Sequence, residues 1–134
     1  CDFDRNFAIG PASDAVRRAH AALYEATEDA LASLRPGMRA CDAHRILTEG
    51  LVRRGAVAGG GRLGHGLGIT LTEWPSFTPL DQTELREGMV LTLEPGVEIA
   101  PGRILVHEEN IVLRDHGPEL LSPRAAPEIP ELPL

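Results

Sequence analysis

The sequence predicts an α+β fold. Three observations carry this: an alternating polar and apolar segment at the start, two helical periodicities in succession, and then several strand-like runs parted by glycine- and proline-rich turns. Strands that follow helices, instead of alternating with them, argue against a parallel βαβ sheet.

The elements follow in order. Residues 1–9 put Asp2, Asp4 and Asn6 on one face and Phe3 and Phe7 on the other, a period of two that predicts a strand ended by Gly10-Pro11. Ser13 is placed to cap a helix over 14–34 whose buried face is Val16, Ala19, Leu23, Ala26, Ala30 and Leu34. Pro36-Gly37 stops it. A second helix over 42–54 turns Ile46, Leu47 and Leu51 inward, and Gly55 closes it. Glycines at 59, 60, 61, 64, 66 and 68 are too dense for a helix and predict loop and strand. Residues 69–73 are expected to form a short strand halted by Pro75. Residues 89–99 form a β-rich run broken at Pro95-Gly96, and 103–113 one further strand. The last stretch, 122–134, has four prolines and is expected to lie over the surface as an extended tail.

The chain has 134 residues, 43% of them apolar and 25% charged, which suits one globular domain. Twenty acidic residues against 13 basic ones give a formal charge of −7. Nucleic-acid affinity rests on clustered cations, so a polynucleotide partner is excluded. No apolar run approaches the roughly 20 residues of a membrane span. Cys1 and Cys41 make no disulfide framework, so the expected compartment is the cytoplasm.

Chemistry-bearing groups interrupt apolar strands at four places. Asp2 and Asp4 flank Phe3, and His65 lies among Gly64, Gly66 and Gly68. Glu94 ends the run Met89-Val90-Leu91-Thr92-Leu93, and Glu108 and Glu109 lie between Leu105 and Ile111. An ionised carboxylate in a buried strand is costly unless paired or bound to metal. Several of them with one histidine suit Mn, Co, Fe or Zn. Taken singly, each group also has a plainer reading: a strand glutamate facing solvent, a structural histidine, a glycine turn. Spacing alone does not bring them together.

Together the motifs are more specific. Gly64-His65-Gly66-Leu67-Gly68 followed by Glu73-Trp74-Pro75 resembles the GHGxG…ExP signature of the pita-bread metallopeptidases. That family includes methionine aminopeptidase, aminopeptidase P and prolidase, with creatinase among the non-peptidases. The stretch from Arg86 to Gly96 is similar to its GMVxTxEPG strand. Val106-His107-Glu108-Glu109-Asn110-Ile111-Val112-Leu113 resembles its R-I-E-D-x-I-V-V strand, and Cys1-Asp2-Phe3-Asp4-Arg5-Asn6-Phe7 its S-D-x-T-R-T-F strand. All four occur in family order, with intervals closer to the prolidase and aminopeptidase P branch.

The resemblance implies a curved antiparallel sheet with helices on its outer face and hydrolysis of an Xaa-Pro or related amide bond. It implies two divalent ions (Mn, Co, Fe or Zn) and carries the ligand roles onto Asp2, His65, Glu94 and Glu108. Glu94 would also shuttle a proton, His65 would count among the catalytic residues, and Glu108 would bridge the ions. The substrate would be a peptide or small molecule, and a homodimer is compatible with the family.

Three departures stand out. The family's other Asp ligand lies about ten residues before the position of Asp2, on the preceding strand. The expectation is therefore that residues 1–134 are the C-terminal part of a single catalytic domain, N-terminally incomplete. The second histidine of peptidase members, which contacts substrate, is here Thr72, a substrate-binding candidate that cannot act as a cation or general acid near neutrality. The arginine two residues before the last glutamate is Val106. Two alternatives stay open: a metal-dependent hydrolase or lyase acting on a small non-peptide substrate, and a chain inactive by itself for want of one Asp ligand.

Overall fold

A computed structural model describes residues 2–134; Cys1, the first residue of the expected N-terminal strand, lies outside them. Among the described residues the elements are β1 (Ala8–Ile9), α1 (Asp14–Ser33), α2 (Ala40–Arg53), β2 (His65–Gly66), β3 (Glu73–Ser76), β4 (Val90–Leu93), β5 (Gly96–Ala100), β6 (Arg103–Val106), β7 (Glu109–Arg114), β8 (Gly117–Leu120) and β9 (Glu131–Leu132). The α+β expectation holds. A five-stranded antiparallel sheet has the order β3-β2-β4-β7-β8, β5 and β6 form a hairpin, and β1 pairs with β9 in parallel.

Both helices form where the apolar periodicity places them. Ser13 caps α1, its hydroxyl accepting from the Val16 amide, and Asp42 accepts from the Arg39 amide at the start of α2. Ala22, Leu23, Ala26 and Ala30 of α1 and Ala43, Leu47 and Leu51 of α2 are buried, whereas Val16 is only half-buried. The small residues let the helices lie close: a Cβ on Gly50 would come within 3.0 Å of the Ala26 Cβ. This helix pair covers one face of the sheet. Leu91 and Leu93 of β4 and Ile111 and Leu113 of β7 pack under it with Leu34, Leu47, Leu63, Phe77 and Leu85. Each fully buried leucine contributes about 1.5–3 kcal/mol.

Strand alternation then sorts the other face. The register pairs Leu91 with Ile111, Thr92 with Asn110 and Leu93 with Glu109. Thr92 and Asn110 point away from the helices, and one step further the same alternation sets Glu94 across from Glu108. Glu109, opposite Leu93, belongs to the helix-covered face.

Four expectations are corrected. The N-terminal strand shrinks to Ala8–Ile9. Residues 2–7 instead lie beside the β6–β7 junction through side chains, which take the carbonyls that a ladder would use. Asn6 Nδ2 donates to the Val106 carbonyl (2.6 Å), Asn110 Nδ2 to the Asp2 carbonyl (2.5 Å) and Arg5 Nη1 to the Glu108 carbonyl (3.0 Å). The strand expected over 69–73 lies at Glu73–Ser76, and Pro75 sits inside it. Proline is tolerated there because β3 is an edge strand. The single strand expected over 103–113 is two, because the chain leaves the β5 hairpin and enters the larger sheet at His107-Glu108. The tail is anchored: Ile129 is buried and Glu131–Leu132 pairs with β1.

Pro95 makes the matching break between β4 and β5, and the His107 amide donates to its carbonyl at 3.0 Å. Two adjacent strands thus bend side by side, with Glu94 and Glu108 at the bend. Gly66 seats β2 against β3. A Cβ there would lie 2.4 Å from the Trp74 carbonyl oxygen, and one on Gly64 would lie 2.3 Å from the Thr92 carbonyl oxygen. Gly66→Ala must therefore part β2 from β3. We expect it to cost about 1–3 kcal/mol, the usual penalty of forced overpacking, read as a lower denaturant midpoint.

Candidate metal centre

The geometry brings three of the expected residues together directly. His65 Nε2 lies 3.0 Å from Asp2 Oδ2 and 3.6 Å from Glu94 Oε2, and one ligand atom from each residue falls within 4.8 Å of the others. His65 is fully buried, while the Asp2 and Glu94 side chains are 22% and 17% exposed, so the cluster opens to solvent on the carboxylate side.

β2 fixes the imidazole. The His65 amide donates to Thr92 Oγ1 at 3.1 Å, and Nδ1 lies 2.7 Å from the Gly66 carbonyl oxygen. A carbonyl only accepts, so Nδ1 carries the proton, and in the neutral ring Nε2 presents a lone pair. That buried nitrogen has no hydrogen-bond partner although a carboxylate oxygen is 3.0 Å away. A lone pair facing two carboxylates is repelled by both unless something positive lies between them. A histidine that donates one nitrogen to a carbonyl and offers the other is the usual preparation of a metal ligand.

Glu108 joins this cluster. Its side chain is buried and its Oε1 is unpartnered. Burial first, then the negative charges of Asp2, Glu94 and Asp4, push its carboxyl up to about 8. Two carboxylates on one histidine, with the Glu108 carboxyl close enough to feel both, make a site whose charge calls for a cation. The donor set of oxygens and one imidazole nitrogen fits a hard or borderline divalent ion. The plainer reading of Glu108 and Glu109 as solvent-facing fails, since both are buried.

Glu109 has different partners on the other face. Its carboxylate accepts from Arg5 Nη2 (3.0 Å), Arg124 Nη1 (2.8 Å) and the Ala125 amide (2.9 Å). Burial alone would raise its pKa, but these bonds and His107 outweigh it and hold the carboxyl down at about 2. It is an internal counter-ion.

Thr72 stands at the rim of the cluster, exposed, with Oγ1 3.4 Å from Arg62 Nη2. Arg62 Nε in turn donates to Glu94 Oε1 at 3.0 Å. Val106 lies in β6, half-buried, without polar function. Sequence reasoning missed Arg62, Thr92, Asn110 and Arg124. Thr92 was within reach, since it sits two residues before Glu94 on the same strand face. For Arg62 and Arg124 no local pattern signals the contact. Among the described residues no helix is long and apolar enough to cross a membrane.

Comparison with known proteins identifies the family. A sequence profile described as metallopeptidase family M24 matches residues 1–115. The chain is 30% identical over 125 residues to an Xaa-Pro dipeptidase of Pyrococcus furiosus, covering 90% of this chain and 35% of that protein. It superposes on a solved X-Pro aminopeptidase of Thermotoga maritima with a TM-score of 0.87 at 31% identity, covering 98% of this chain and 38% of the other. A dipeptidase of Mycobacterium ulcerans gives a TM-score of 0.87 at 28% identity, covering 97% and 35%. The chain spans about a third of the length of these relatives.

Proposed function

Because the chain belongs to metallopeptidase family M24 and has its pita-bread fold, we propose that the whole protein is a metal-dependent hydrolase cleaving Xaa-Pro or related amide bonds. The observation that carries this is the unpartnered, lone-pair-bearing His65 Nε2 facing Asp2 and Glu94, with protonatable Glu108 beside them.

In this reading Asp2, His65, Glu94 and Glu108 are the metal ligands, and two divalent ions (Mn, Co, Fe or Zn) are the cofactors. Glu108, with two carboxylate oxygens, would be able to serve both. Such ions supply a water nucleophile at neutral pH and polarise the substrate carbonyl. The chain's own residues do the rest. His65, its Nδ1–H tied to the Gly66 carbonyl, keeps its other nitrogen aimed at the carboxylates. Glu94 takes a proton at a carboxylate oxygen and returns it to the leaving nitrogen. Thr72 offers a hydroxyl at the rim for the substrate. We further propose that residues 1–134 are the C-terminal part of one catalytic domain, and that alone they hold metal more weakly than the whole protein. The free thiol of Cys41 suits a reducing cytoplasm, and a homodimer is compatible with the family.

The test is metal depletion and return. Chelator-treated intact protein should not cleave Xaa-Pro dipeptides, and added Mn²⁺ or Co²⁺ should restore turnover. A folded, metal-replete protein without turnover would reject the peptidase reading.

One observation favours a second reading, a metal-dependent hydrolase or lyase for a small non-peptide substrate: Thr72, tied to Arg62, leaves the rim without an imidazole. Thr72→His separates the two. On the peptidase reading it should raise kcat/KM for Xaa-Pro dipeptides about 10-fold or more, as general acids do. An unchanged kcat/KM would shift the assignment to the second.

A further inference from the structure

Glu108 reaches the cluster with little to aim it. Its Oε1 has no hydrogen-bond partner, and it sits at the break between β6 and β7, where the backbone is held by the His107 amide on the Pro95 carbonyl and by Arg5 on the Glu108 carbonyl, neither of which touches the Glu108 side chain. The side chains on either side add a further constraint on its direction. Successive side chains in extended chain point to opposite faces, so His107 and Glu109 face one way and Glu108 the other. Both neighbours are buried, and both meet the same atom. Arg124 Nη1 lies 2.8 Å from Glu109 Oε1 and 2.6 Å from His107 Nε2.

The rest of the guanidinium is equally committed. Nη2 donates to the Tyr24 carbonyl at 3.0 Å, Nε donates to Glu28 Oε1 at 2.9 Å, and the Arg124 guanidinium carbon lies 4.2 Å above the Tyr24 ring centre. Arg124 thus ties the neighbours of Glu108 to helix α1, a rigid element. It lies beyond residues 1–115, the part matched to the family.

We propose that Arg124 is a positioning residue for the metal centre: by holding His107 and Glu109 through one nitrogen, it fixes the direction in which Glu108 projects into the site. The inference rests on the reading of Glu108 as a ligand. A planar guanidinium can serve four partners at once, whereas a lysine ammonium offers one point of attachment. Arg124→Lys should therefore keep the charge beside Glu109 while releasing His107 and the helix.

The test uses the intact protein, Co²⁺ as probe, calorimetric titration for affinity and the visible ligand-field bands for geometry. Arg124→Ala is expected to weaken Co²⁺ binding about 10–100-fold, the usual effect of removing a group that orients a ligand. Arg124→Lys should fall between it and the wild type, and both should alter the bands. Leu51→Ala, in the separate cluster of Ala19, Leu23 and Val97, is the control for lost stability. It should leave affinity and bands unchanged. Folded Arg124 variants with wild-type affinity and bands would overturn the proposal, as would an equal loss in Leu51→Ala. Failure of both Arg124 variants to fold would assign the residue a purely structural role. A wild-type protein that binds no Co²⁺ would instead overturn the metal reading, and this inference with it.

Discussion

Glu94→Gln is expected to lower kcat for an Xaa-Pro substrate by about 10²–10⁴-fold, the range that a positioned proton carrier contributes. The amide keeps the shape of the carboxyl but accepts no proton at neutral pH, and it is a poorer partner for a cation. The change should leave the fold intact, because Glu94 follows the last residue of β4, is partly exposed, and its side chain accepts from Arg62 Nε at 3.0 Å, a bond that the glutamine oxygen can still accept. The measurement is kcat at saturating Mn²⁺ or Co²⁺, with circular dichroism to show an unchanged fold. A variant within 10-fold of wild type would remove Glu94 from the proton-carrying role.

Glu108→Gln should invert its effect with metal. In the metal-free protein the Glu108 carboxyl titrates at about 8, above its ordinary 4.5. Below about pH 4.5 it is protonated in both folded and unfolded chains and costs nothing. Between those values the unfolded chain loses the proton while the folded one keeps it, so stability falls as pH rises. Above about 8 the folded protein carries the whole penalty. Glutamine, neutral throughout, removes it. Metal-free Glu108→Gln should therefore be more stable than wild type at pH 8–9, by several degrees or more in Tm, and equal to it near pH 4. With metal the order reverses, because the wild-type carboxylate gains the cation and the amide does not. A variant less stable at pH 8–9 without metal would show that Glu108 serves the fold and is not held there against it.

The elements that follow a local period were legible from sequence. Both helices fall within a few residues of the spans expected from their apolar spacing and from Ser13, and β4, β5 and their break at Pro95 lie where expected. What failed depends on partners far along the chain. Residues 2–7 carry an alternating pattern but spend their contacts on side-chain bonds to Val106, Glu108 and Asn110, about a hundred residues away. The run from Arg103 to Leu113 reads as one strand because nothing within it reveals that its halves pair with different sheets. The site shows the same division. Glu94 and Glu108 stand out as acids in apolar runs, and the geometry brings Asp2, His65 and Glu94 within 4.8 Å. The opposite fates of Glu108 and Glu109 were not visible, since the countercharge that makes Glu109 a buried anion comes from Arg5 and Arg124 at the two ends of the chain. Arg124 lies in a proline-rich stretch expected to be a surface tail, yet its side chain is only 14% exposed.

The central claim, that His65 and the carboxylates around it hold a divalent cation, is tested most directly by diffraction from crystals of the intact protein grown with Co²⁺, with data collected at the cobalt absorption edge. The prediction is an anomalous peak about 2.0–2.2 Å from His65 Nε2 and in contact with oxygens of Asp2, Glu94 and Glu108. Co²⁺ found only at surface histidines such as His116, with no anomalous density beside His65, would contradict it.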